Sequence, residues 1–411
     1  MEETTADQIA ERHQEQALDT KYPRHCHLSL WLRAHDPTHY LKESHSFEQN
    51  TGSLLGMVDI DLSKNLVELT MDICNIESVS GSEQSLANAL EKALTLPHLS
   101  VLRDGNAVVA STNFGKPRIL IAGHIDTVPI ANNLPAQLHH FEREQVIIGR
   151  GSVDMKGGIA VMLKLASELT EAKYDISWIF YDNEEVDSSL NGLGRLSRNN
   201  PEILKGEFAI LCEPTSALVE GGCNGTLRAL VRTKGVKAHS ARPWMGENAI
   251  HKAAPILARL ADYQPQTISV DGLEYRESLN AVSIKAGIAG NVIPDLCEVE
   301  VNYRFAPSKS GSEAKQVIEE LFEGFQVELV DLAEGARPGL DTELAAQFLA
   351  ATGQSARPKY GWTDVARFSA LGIPAINYGP GDPALAHADN ENLPVGHLFD
   401  VEKGLRNWLS V

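Results

Sequence analysis

RILIAGHIDTVP, residues 118–129, runs through a block of β-branched and apolar side chains straight into a histidine and an aspartate. A short apolar run of this kind reads as a strand buried on both faces, the condition of a parallel sheet covered by helices. In open α/β sheets, ligands gather just beyond the carboxyl ends of such strands. His124 and Asp126 fall at that place. The stretch therefore predicts a fold class and the edge of a site together.

The pattern recurs outward from there. ISWIFYD (176–182) and EFAILC (207–212) are further buried strands, and GGIAVMLKLASEL (157–169) is apolar nearly all round, as in a helix packed under a sheet. Leu86, Ala89, Leu90, Ala93 and Leu94 share one helical face after Ser82. Strands alternating with helices imply an α/β domain whose mostly parallel sheet has helices on both faces. Near Asn224 the texture changes. TLRALVRTKG (226–235), ENAIHKAAPILARLADY (247–263), LNAVSIKAGI (279–288), CEVEVNYRF (297–305), SEAKQVIEELFEG (312–324) and FQVELVDL (325–332) read as βαββαβ, the split arrangement of a ferredoxin-like domain. The expected organisation is a larger domain over 58–223 and 337–411, with residues 224–336 inserted as a smaller one. Residues 1–57 show no sustained period and read as a loosely ordered extension.

Composition narrows the function classes. The 411 residues exceed one ordinary core, and two domains are expected. A formal charge of −19, from 36 basic and 55 acidic side chains, disfavours nucleic acid and anionic membrane as partners. An anionic substrate must then meet locally placed cations. No stretch is long and apolar enough to span a bilayer. The five cysteines stand singly, with no C-x-x-C pair, which fits a reducing cytoplasm better than a disulfide framework or a thiolate zinc site. Cys223 has no adjacent base motif and reads as packing, not as a nucleophile. GRGSVDMKGG (149–158) contains glycines without the G-x-G-x-x-G spacing, so a dinucleotide-binding oxidoreductase fails on motif.

Several apolar strands end in an acid or a histidine: LIAGHID, IFYDNEE and AILCEP. Asp154 precedes the glycine pair that opens a helix, and His387 sits in a Gly/Pro-rich loop. Any one of these is ordinary. Together they form an inventory of His124, Asp154, Glu185, Glu213 and His387. Two imidazoles and three carboxylates suit zinc, with cobalt or manganese possible, over calcium or a thiolate-bound ion. Five ligands are too many for one tetrahedral site, whereas two ions about 3.5 to 4 Å apart sharing a carboxylate would use them all. Neighbours in an extended segment point to opposite sides, so Glu184 and Glu185 need not do the same job. His124 and Asp126, two apart, share a side, which predicts that Asp126 accepts the second imidazole N–H.

The segments GHIDTVP, GRGSVDMKGG, DNEE, CEPT, KAHSARPWMGENAI, NVIPD, GWTDVARF and AHADNE, in this order, resemble the dinuclear zinc deacylases and carboxypeptidases that include acetylornithine deacetylase and succinyl-diaminopimelate desuccinylase. The resemblance runs from about residue 59 to the end, and residues 360–391 are most similar to the actinobacterial branch of the desuccinylases. It implies two Zn²⁺ per chain, with His124 and Glu213 on one ion, Glu185 and His387 on the other, and Asp154 bridging. It implies a cis peptide at Asp154-Met155 and Glu184 as general base, beside the orienting Asp126 that the spacing already gives. His239 is implied as an oxyanion donor delivered by the partner subunit of a homodimer joined through the inserted lid domain. Arg304, Asn291, Arg242, Thr363 and Gly381 are implied as substrate contacts; from spacing alone His239 reads as a surface residue and Arg304 as a polar residue leaving a strand. Relatives of the enterobacterial type carry a basic pair where this chain has Cys223-Asn224, so some carboxylate contacts must differ here. The implied reaction is hydrolysis of an N-acyl amino acid, with N-succinyl-LL-diaminopimelate ahead of acetylornithine or a dipeptide. A binding protein that kept the fold and lost the chemistry is the reading from another class.

Overall fold

The computed structural model of the chain describes residues 59–141 and 144–411. The expectation for residues 1–57 lies outside this range. The strand Arg118–His124 occupies the middle of an eight-stranded sheet, parallel to Asp175–Tyr181 on one side and to Phe208–Leu211 on the other. Ala375–Asn377 continues the parallel set. Towards one edge lie Ala107–Ser111 and Ser100–Asp104, both paired antiparallel; towards the other lie Glu220–Gly221, antiparallel to Ala375–Asn377, and Arg357–Pro358. The sheet is thus parallel at its centre and mixed at its rims.

Alternation along the central strands divides two cores. Ile119, Ile121, Ile176, Trp178 and Phe180 face one layer, which holds the helices Leu66–Asn75, Gly157–Glu168 and Val395–Leu409. Leu120, Ala122, Ile179 and Tyr181 face the other, against Gly192–Asn199 and Val365–Ala370. A period of two buries both faces because both are covered by helices. From the central strand the chain passes to Asp175–Tyr181 on one side and then to Phe208–Leu211 on the other, so the carboxyl ends of the three strands open one crevice at the switch point.

A second sheet, wholly antiparallel, has the order Ser278–Ala286, Leu296–Phe305, Gly225–Lys234, Gln326–Ala333. In chain order this is 2-3-1-4, the ferredoxin-like pairing, with Gly311–Leu321 and the helical stretch after Asn248 packed on one face. Ser310 and Glu313 close a reciprocal capping box at the start of Gly311–Leu321. The chain enters and leaves this module at Cys223 and Ala336, which exchange two backbone hydrogen bonds of 3.0 Å.

Three features differ from the sequence reading. The single helix expected over 247–263 is two, Ala249–Lys252 and Ala254–Asp262, because Pro255 has no N–H to continue the ladder. A hairpin, Thr267–Val270 with Leu273–Arg276, follows it. A three-stranded sheet of Gln137–Phe141, Glu144–Ile148 and Asn392–Pro394 flanks the larger unit. Their strands are short and mostly half-exposed, which leaves little apolar period to read.

Close approach explains the glycine pair after Asp154. A Cβ on Gly158 would stand 2.3 Å from the carbonyl oxygen of Cys212, the residue before Glu213. Helix propensity favours alanine there by about 1 kcal/mol, but backbone overlap must push the helix off the strand. Gly158→Ala is expected to destabilise the protein by about 1–3 kcal/mol, read as a lower denaturant midpoint.

Candidate metal centre

His124 is the last residue of its strand and only 1% exposed. Its Nε2 lies 3.0 Å from Asp154 Oδ1 and 3.9 Å from Glu213 Oε1. The other oxygen of Asp154, Oδ2, lies 3.2 Å from His387 Nε2, which is also 2.9 Å from Glu185 Oε1. Asp154 therefore turns one oxygen to each of two imidazoles. Ligand atoms at about 2.0–2.2 Å from a tetrahedral ion sit about 3.3–3.6 Å from one another, close to the spacing found. Two donor sets result: His124, Asp154 and Glu213, and Asp154, Glu185 and His387, each with ligand atoms within 4.8 Å of one another. The donor chemistry fits a pair of cations sharing Asp154.

Three local devices hold these side chains. Asn183, at φ 58°, turns the chain after the strand Asp175–Tyr181 and brings Glu184 and Glu185 round. The amides of Glu184 and Glu185 donate to the two oxygens of Asp126, at 3.0 and 3.1 Å, and the Ser80 hydroxyl adds a third bond at 2.8 Å. Both carboxylates consequently approach His124, in a set within 4.8 Å with it. The segment is bent here, not extended, and keeps both glutamates within reach of His124. Asp126 also differs from expectation: His124 Nδ1 lies 3.0 Å from its backbone carbonyl oxygen and 3.5 Å from its carboxylate, whose oxygens are occupied by the two amides. His387 itself adopts φ 66° in its loop, a conformation uncommon outside glycine.

Burial and like charge set the protonation of the cluster. Burial raises Glu184 well above the usual carboxylate range, against the pull of His124 and with Asp364, Glu213 and Glu185 adding to it. Burial pushes Glu213 up to about 8. Asp154 goes the other way: burial opposes ionisation, but hydrogen bonds from His124 and His387 hold it well below its ordinary value. Hydrogen bonds to Asp154 and Glu185 raise His387 to about 10. Cations compete with protons for such a set.

The profile of peptidase family M20/M25/M40 matches residues 120–410. The chain belongs to this family. It is 47% identical over 355 residues to the Mycobacterium tuberculosis protein assigned as succinyl-diaminopimelate desuccinylase DapE, covering 85% of this chain and 99% of that one. It is 44% identical over 364 residues to the succinyl-diaminopimelate desuccinylase of Corynebacterium glutamicum, covering 85% and 98%. Among solved structures, a Staphylococcus aureus tripeptidase shares the fold, with a TM-score of 0.69 at 20% identity over 86% of this chain and 98% of the other.

In this M20 family chain the candidate donors border a cavity of about 600 Å³, whose wall includes Asp154, Glu213, His387 and Thr363. Thr363 donates its hydroxyl to Asn377 at 2.9 Å. Gly381, at φ 94°, is buried against Val153, and its carbonyl accepts the Ser216 amide. His239, Arg242 and Asn291 come together on an exposed edge of the second module: the strand Ala238–His239 pairs with Val292–Ile293, and the Ser240 amide donates to the Asn291 carbonyl. Among the described residues His239 makes no polar contact with the five candidate ligands; its Nδ1 accepts the Ala241 amide. Arg304 lies on the strand Leu296–Phe305, its Nε donating to Asn302. The peptide Asp154-Met155 is cis.

Two residues escaped the sequence reading. Glu391 is buried and accepts the amides of Gly151, Val153 and Asp154 while pairing with Arg150 at 2.8 Å. It fixes the turn that carries the shared carboxylate, and the only signal was its place four residues after His387. Lys156 is also buried, its ammonium donating to the Ile76 carbonyl at 2.7 Å, and burial lowers it to about 8. Nothing in its spacing set it apart from a surface lysine. The described cysteines, Cys74, Cys212, Cys223 and Cys297, are free and buried. Burial raises the Cys223 thiol, which suits packing.

Glu391→Gln replaces one acceptor oxygen by a donor facing backbone amides. Its expected effect is about a 10–100-fold loss of metal affinity, measured by chelator competition on the purified protein.

Proposed function

We propose that this chain is a dinuclear metal hydrolase that cleaves N-succinyl-LL-diaminopimelate to succinate and LL-diaminopimelate, serving lysine and diaminopimelate synthesis in the cytoplasm. The observation that carries the chemistry is the division of Asp154 between two donor sets. The choice of acyl substrate is supported by 47% and 44% identity, over 85% of the chain, to proteins bearing that name.

In this reading His124 and Glu213 would hold one ion and Glu185 and His387 the other, with Asp154 shared between them. Two zinc ions, or cobalt or manganese in their place, supply Lewis acidity toward the amide carbonyl and acidify the attacking water when bound. Glu184 takes the proton from that water and returns it to the departing amine nitrogen. Burial raises its pKa above the usual carboxylate range, which suits a group that must both accept and release a proton. Asp126 holds the Glu184-Glu185 turn and the His124 ring in register. Residues 224–336 act as a lid and join a homodimer, in which His239 of the partner subunit donates to the oxyanion. Arg304, Arg242, Asn291, Thr363 and Gly381 contact the substrate, guanidinium forks being suited to carboxylates.

The reading is tested by turnover of N-succinyl-LL-diaminopimelate against N-acetylornithine on one metal-loaded sample. The succinyl compound is expected to have the higher kcat/KM, and preference for the acetyl compound would overturn the assignment. Glu184→Gln removes a proton carrier and none of the five ligands. It is expected to retain two ions per chain while kcat falls by about 10³-fold, checked by metal analysis and steady-state rates; joint loss of metal would reassign Glu184 as a ligand.

A further inference from the structure

One wall of the cavity carries a charge arrangement that metal binding does not use. Glu220 and Arg357 sit directly opposite each other where the strands Glu220–Gly221 and Arg357–Pro358 pair. Glu220 is buried, and its two oxygens are divided between two cations: Oε1 accepts from Arg357 Nε at 3.0 Å and Oε2 from Lys359 Nζ at 3.0 Å. Two cations on one carboxylate leave one positive charge in excess. The cluster is tied to the metal centre through the backbone, because Lys359 Nζ donates to the Pro214 carbonyl and Arg357 Nη2 to the Thr215 carbonyl, one and two residues beyond Glu213. The two cations are not equivalent. Lys359 is 7% exposed in its side chain and spends its bonds on Glu220 and Pro214. Arg357 is 42% exposed, and among the described residues its Nη1 has no hydrogen-bond partner.

In a chain of net charge −19, an excess cation on the wall of the candidate active-site cavity is a local exception. We propose that Arg357 is a specificity-determining residue that receives the distal carboxylate of a dicarboxylic acyl chain, with Glu220 and Lys359 positioning it. The remaining acids of that wall, Asp154 and Glu213, belong to the donor sets, so they do not compete for the guanidinium. Glu220 fixes Nε, which leaves the Nη1 edge of the fork free for the ligand. The inference deepens the desuccinylase reading and rests on it for the identity of the acyl group.

The test titrates succinate and butyrate, four-carbon acids that differ by one terminal carboxylate, into metal-loaded wild-type protein and into Arg357→Gln and Arg357→Lys, by calorimetry. Wild type is expected to bind succinate about tenfold or more tightly than butyrate, the scale of a charge-assisted hydrogen bond. Arg357→Gln loses that preference with butyrate affinity kept, and Arg357→Lys restores part of it. Persistence of the preference in Arg357→Gln, equal loss of both ligands, or no preference in wild type would overturn the proposal. Because binding is read without turnover, a wild-type enzyme that cleaves the acetyl substrate better yet holds succinate through Arg357 would sink the desuccinylase reading and support the subsite.

Discussion

Asp154 is the residue on which the rest of the centre depends, because its two oxygens face two different imidazoles at 3.0 and 3.2 Å. A carboxylate shared in this way makes one site out of two donor sets that arrive from distant parts of the chain. It also concentrates negative charge. Asp154, Glu184, Glu185 and Glu213 meet at the mouth of a buried sheet, and burial and mutual repulsion drive Glu184 and Glu213 towards their neutral forms. Protons or bound cations relieve that arrangement, so the geometry that gathers the carboxylates also favours cations at the centre.

Holding the shared carboxylate still is the task of residues that touch no candidate ion. Glu391 gathers three amides of the Asp154 turn, those of Gly151, Val153 and Asp154, and Asp126 gathers the two amides of the glutamate pair. Each is a buried acid satisfied by backbone N–H groups, and each fixes a turn whose side chains would otherwise choose among rotamers. Gly158 lets the following helix press onto the strand that ends at Leu211. The donor set is therefore built from backbone packing outward, which is how loops acquire the rigidity that coordination demands.

The second module contributes differently. Its core is its own, and it joins the larger unit through the paired backbone at Cys223 and Ala336, with the Tyr275 hydroxyl donating to Gly221 at 2.6 Å. Gly221 lies beside Glu220, so this junction borders the wall that carries Arg357 and Lys359. The charged wall and the attachment of the module thus share one short strand.

Much of this was legible in the sequence. Apolar runs ending in polar residues determined the central strands, their burial on both faces and the crevice at their carboxyl ends, since a period of two and hydrophobic burial act locally. The same logic drew out His124, Asp154, Glu185, Glu213 and His387 as one inventory of donor types. Tertiary structure alone decided the rest: the antiparallel rims, the break at Pro255, the bend that brings Glu184 and Glu185 both near His124, and the anchoring by Glu391. It also decided that Asp126 meets His124 mainly through its carbonyl, and that Arg357 and Lys359 divide one glutamate. These outcomes depend on which distant groups compete for the same hydrogen bond, and a linear pattern carries no term for that competition.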